Sequence, residues 1–147
     1  MSKEDKKNIF KTEISVFADI KNATKICEML EKICTEAAVP FNVITQCNVA
    51  IDEIFSNIVY YGYGEEKKDI TVKVLINFAE QKNYLQMTFI DSAIKFNPLE
   101  VSAPDTTLAV EDRQIGGLGI FMVCKMMDDV SYEYKNGCNH LSFMKYF

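Results

Sequence analysis

The sequence predicts an α+β fold, a two-layer α/β sandwich in which helices lie on one face of a mixed, mainly antiparallel sheet. Three observations point there. Two central segments, Ile70–Phe78 and Tyr84–Ile90, alternate apolar and polar residues with period two, and the short Glu80-Gln81-Lys82-Asn83 connection suits a hairpin. Two earlier segments carry apolar residues at helical spacing. Strands do not alternate regularly with helices, which disfavours a parallel dinucleotide-binding sheet.

Taken in order, Phe10 to Phe17 reads as a first strand. Asp19 or Asn22 caps a helix that runs to about Ala38 with Ile26, Leu30, Ile33 and Ala37 on one face, and Pro40 ends it. A second helix starts near Asn42 and runs to about Tyr60, with Val43, Ile44, Cys47, Ile51, Ile54, Phe55 and Ile58 in one apolar stripe, until Gly62 and Gly64 stop it. After the hairpin, Ala93 to Ile115 follows neither period, and long loops of this kind inside a compact domain are usually functional. Gly116-Gly117-Leu118-Gly119 then opens a helix through Met127. Two final strands, Val130–Lys135 and Asn139–Phe147, meet at an Asn136-Gly137 turn.

The 147 residues suit one domain spanning the chain, and 48% hydrophobic with 25% charged residues is an ordinary globular balance. A net charge of -5 argues against direct nucleic-acid binding, which needs a basic footprint. No apolar run reaches the roughly 20 residues of a membrane span, and the charged start Met1 to Lys7 lacks the apolar segment of a signal peptide. Cys27, Cys34, Cys47, Cys124 and Cys138 are odd in number and form no C-x-x-C pair, so a reducing cytoplasm fits best.

Three groups of residues can carry chemistry. Glu53 and Asn57 stand four apart on the second helix and project from one face. An amide oxygen there suits Mg²⁺ and a carboxylate one turn earlier can take a proton, although the same spacing occurs on any solvated helix face. Asp91 ends a strand, where it can accept from an exocyclic amine or simply cap the following turn. The Gly116–Gly119 cluster lets backbone approach a phosphate at a helix start, and it is not a Walker loop because no Lys-Ser/Thr follows.

In this order and spacing the groups resemble the boxes of the gyrase, histidine kinase and MutL (GHKL, or Bergerat) ATPase superfamily. The match is closer still to its anti-sigma-factor serine-protein kinase branch. Asn48 to Tyr63 is similar to that branch's first box, Asp91 to Pro98 to its second and Gly116 to Phe121 to its third, while Met126 to Tyr132 fits the tail. The resemblance implies ATP and Mg²⁺ as cofactors, Glu53 as general base and Asn57 as metal ligand. It implies Asp91 on the adenine amino group beside Ala93, a lid over Ala93–Ile115, and Gly116, Gly117, Leu118 and Gly119 around the phosphates. It further implies a cytoplasmic homodimer that regulates transcription by phosphorylating a serine of an anti-anti-sigma protein and holding a sigma factor. Two positions depart from the pattern. Ala93 replaces a glycine, and its methyl is expected to crowd the base or oppose a positive φ; Ile115 stands where arginine is frequent, with Arg113 close by. The rival reading is a non-catalytic or weakly nucleotide-binding module that sequesters a regulator. A gyrase-like machine is disfavoured by the lack of a transducer segment.

Overall fold

The computed structural model describes residues 8–100 and 117–147. Gly116, Arg113, Ile115 and most of the expected lid lie outside the described residues. Five strands, β1 (Ile9–Phe17), β2 (Asp69–Asn77), β3 (Tyr84–Asp91), β4 (Asp129–Lys135) and β5 (Cys138–Tyr146), form one sheet in the order β1-β2-β3-β5-β4. Every neighbouring pair is antiparallel, so the sheet expected to be mixed or mainly antiparallel is wholly so.

Period-two burial sorts each central strand. Ile70, Val72, Val74 and Ile76 of β2 and Leu85, Met87 and Phe89 of β3 face inward, and Leu141 and Phe143 of β5 continue that layer. Against it lie three helices, α1 (Ala23–Ala37), α2 (Phe41–Asn57) and α3 (Gly117–Met126). Ile26 and Leu30 of α1 and Ile51, Ile54 and Phe55 of α2 are completely buried, each contributing about 1.5–3 kcal/mol relative to exposure.

Helix boundaries depend on details that periodicity does not carry. Asp19 caps a short 3₁₀ turn, Ile20–Asn22, by accepting from the Lys21 N–H, while the Asn22 side chain turns back to Phe17 O at 2.9 Å. Ala38 ends α1 in the left-handed region at φ 58°, with its N–H and that of Val39 closing on the last carbonyls, so the stop precedes Pro40. The α-helical part of α2 stops at Asn57 rather than near Tyr60. A single π turn, Ile58–Gly62, follows it, and Lys67 Nζ donates to Val59 O at 2.6 Å. The β4–β5 turn has φ of 53° at Asn136 and 74° at Gly137, the paired positive values that an Asn-Gly hairpin turn requires.

All five cysteines are free thiols, and burial pushes Cys34 and Cys47 up to about 12, which keeps them unreactive at neutral pH. Met127 is buried as a core residue, but Met122 is 40% exposed on α3. Among the described residues no helix is long and apolar enough to cross a membrane.

Candidate functional site

The last two turns of α2, with the π turn that extends them, form the spine of the site. Glu53 and Asn57 are half-buried on successive turns. Among the described residues the Asn57 side chain has no hydrogen-bond partner, so its amide oxygen remains available to a ligand. Glu53 reaches α3. A Cβ built on Gly119 would lie 2.1 Å from Glu53 Oε2 and 3.1 Å from its Cδ. The carboxylate therefore stands in the space that any side chain at 119 would need. Glycine at that position provides a seat for the acid as well as close backbone approach. Leu118, next to it, is 49% exposed, and Gly117 is the first residue of α3.

At the other end of the spine the π turn meets the residues after β3. Gly62 packs against Ala93, whose Cβ lies 3.6 Å from where a Gly62 Cβ would be. Tyr63 is buried, and its hydroxyl donates to Asp69 O at 2.9 Å and accepts from the Ser92 N–H at 2.8 Å. A five-residue turn in place of a four-residue one puts Tyr63 where its hydroxyl can tie β2 to β3. Ala93 does not have the backbone expected for a glycine substitute. Its φ is not positive, its N–H donates to Asp91 Oδ1 at 3.0 Å, and its methyl is buried. A methyl opposing a left-handed φ is thus ruled out, because the chain turns here through the Asp91 side chain.

Asp91 continues the inward row Leu85, Met87, Phe89, which brings a carboxylate to the helix-facing side at the very end of β3. Only 7% of it is exposed, and burial raises its pKa above the ordinary carboxylate value; Asn139, the Ala93 N–H and His140 oppose that rise. Asn139 heads the corresponding row of β5, Asn139, Leu141, Phe143, and is the register partner of Asp91. Its Nδ2 donates to Asp91 Oδ1 at 3.0 Å and to Ile94 O at 3.0 Å, and its Oδ1 accepts from the Phe96 N–H at 3.1 Å and from the Tyr132 hydroxyl. Sequence reasoning missed Asn139 and Tyr63. The signal for Asn139 was its place, two residues ahead of an alternating apolar row as Asp91 is two behind one. His140, beside it, belongs to the opposite face of the sheet.

Glu53 and Gly119 thus meet at one end of the spine, Asn57 follows Glu53 by one helical turn, and Asp91 and Ala93 lie at the other end. Residues 16–145 match the histidine kinase-like ATPase domain family. The chain belongs to that family. The serine-protein kinase RsbW of Listeria monocytogenes is 30% identical over 113 residues, covering 74% of this chain and 69% of the relative. RsbW of Bacillus thuringiensis is 23% identical over 131 residues, 86% of this chain and 79% of the relative. The solved RsbU and RsbW domains of a Mycobacterium tuberculosis protein superpose with a TM-score of 0.64 at 17% identity. That match covers 92% of this chain and 32% of the longer one, and it supports the fold. The expected anti-sigma-type serine-protein kinase branch of the GHKL superfamily is the one to which these relatives assign the chain.

Proposed function

We propose that this chain, acting as a single domain, transfers the γ-phosphate of Mg-ATP to a serine of an anti-anti-sigma protein and sequesters a sigma factor once that protein is phosphorylated. The observation that carries this reading is the Glu53 carboxylate seated against Gly119, one helical turn before the unengaged amide of Asn57. Glu53 is assigned as general base. As the serine oxygen bonds to the γ-phosphorus and the bond to the ADP oxygen breaks, the serine proton passes to the Glu53 carboxylate. Asn57 fits Mg²⁺ because a hard amide oxygen supplements the water and phosphate oxygens that this ion prefers. The metal would supply neutralisation of phosphate charge. Gly116, Gly117, Leu118 and Gly119 are assigned to the phosphates, where backbone N–H groups at the start of α3 attract anions. Asp91 is assigned to the adenine amino group and Ala93 to the wall beside it.

On the same reading the protein is a cytoplasmic homodimer that contacts neither nucleic acid nor membrane directly; its net charge of -5 supports the first of these exclusions. The rival regulator-binding module rested on Ala93. It loses the backbone part of that support, since Ala93 keeps its methyl on an ordinary, non-positive φ.

Incubating the protein with labelled ATP and a phosphorylatable partner tests the assignment. Glu53→Gln is expected to slow transfer by about 10²–10⁴-fold while leaving Mg-ATP binding nearly unchanged. Undiminished transfer in that variant would refute Glu53 as base, and binding of the partner with no transfer by the wild type would return the module reading.

A further inference from the structure

Asp91 presents its two carboxylate oxygens unequally. Both donors that reach it, the Ala93 N–H and Asn139 Nδ2 at 3.0 Å each, converge on Oδ1. Oδ2 has no hydrogen-bond partner among the described residues. Asn139 in turn is unable to reverse. Turning its amide over would set an oxygen against Asp91 Oδ1 and Ile94 O, and an NH₂ group against the Phe96 N–H. Each of those contacts would become donor against donor or acceptor against acceptor, in a residue only 6% exposed. The amide is therefore a fixed reference, and it imposes one polarity on whatever side chain occupies position 91.

We propose that Asn139, together with the Ala93 N–H, fixes the polarity of position 91, making Oδ1 the buried acceptor and Oδ2 the atom offered to the ligand. Asn139 is thus a positioning residue for purine selectivity. A base with an amino group at carbon 6 donates to Oδ2, whereas a 6-oxo base brings a carbonyl oxygen against it. This role presupposes the assignment of a nucleotide to the site.

The sharpest consequence concerns an amide at 91. In Asp91→Asn the side-chain oxygen must take the Oδ1 place, because the alternative aims NH₂ at both Asn139 Nδ2 and the Ala93 N–H. The NH₂ group is then forced outward, and the site should accept a 6-oxo purine in place of a 6-amino one. Calorimetric titration of Mg-ATP and Mg-ITP, which share ribose and triphosphate, isolates the 6-position as a ratio of dissociation constants. The wild type is expected to favour ATP by at least about ten-fold and Asp91→Asn to favour ITP. Adding Asn139→Leu to Asp91→Asn removes one of the two clashes that hold the amide, so the ITP preference should fall by roughly half on a logarithmic scale. A role confined to stability would weaken both nucleotides together and leave the ratio unmoved.

If Asp91→Asn still prefers ATP, the side chain turns freely and the proposal is overturned, whether or not the double variant folds. An unmoved ratio in a folded double variant overturns the part given to Asn139. A wild type that binds neither nucleotide overturns the nucleotide reading itself, a result distinct from both.

Discussion

The two ends of the α2 spine are built on opposite principles. At the Asp91 end, buried polar groups restrain one another: Asn139 uses its amide on three carbonyl or carboxylate oxygens and two donors, and Tyr63 ties Ser92 to Asp69. At the Glu53 end, what positions the acid is a missing side chain, the space at Gly119. The first arrangement suits recognition of a rigid group, because each partner removes one way of being wrong. The second suits a residue that must meet reactants, since a carboxylate in an open seat keeps its oxygens free for a proton. Damage at the two ends should therefore look different: lost rate at one, lost stability or altered binding at the other.

The largest effect should come from filling the seat. In Gly119→Ala the new methyl displaces the Glu53 carboxylate, and a shift of about 1 Å at a catalytic group is worth roughly 10²-fold in rate. Transfer assays at saturating ATP should show that loss with the melting temperature nearly unchanged. A fall in stability without a fall in rate would erase the contrast between the ends. Next in size is Tyr63→Phe, which leaves the Ser92 N–H and the Asp69 carbonyl without their partner. Urea denaturation should register a loss of about 1–3 kcal/mol.

Asp91 should behave in the opposite sense. Burial raises its pKa, so between the ordinary carboxylate value and the raised one the folded state holds more protons than the unfolded state. Stability contributed by the protonated form is therefore lost as pH rises through that window. Asp91→Asn keeps the Oδ1 acceptor without the charge. Its urea midpoint relative to the wild type should accordingly rise as pH climbs from the ordinary carboxylate value through the raised one, and a flat difference would show that the carboxylate carries no burial cost. The smallest effect belongs to Ala93→Gly. Loss of a buried methyl and a freer unfolded chain should cost about 0.5–1 kcal/mol, with Mg-ATP affinity unchanged within two-fold in calorimetry. A large gain in affinity would mean that the methyl crowds the base after all.

Much of this molecule was legible in advance because alternation and helical spacing are local. The hairpin of β2 and β3, the α2 stripe and the Asn136-Gly137 turn each follow from residues that touch their own neighbours. The glycines that open α3, Gly117 and Gly119, were legible for the same reason. The end of α2 was not, since a π turn adds one residue without disturbing the apolar stripe. Nor was the αL stop at Ala38, a conformation that alanine seldom takes and that its local sequence does not announce. Asn139 escaped notice because a lone asparagine at a strand start has no meaning until its partner across the sheet is known.

What the sequence by itself determined was the alphabet of the fold: five strands, three helices, and the segments bearing Glu53, Asn57, Asp91 and Gly119. Tertiary structure alone decided which of these face each other. The β3–β5 register sets Asp91 beside Asn139, 48 residues apart, and helix packing sets the Glu53 carboxylate in the space at Gly119. The physical reason is that periodicity fixes the face on which a side chain lies. Register and packing between distant segments fix what that face meets.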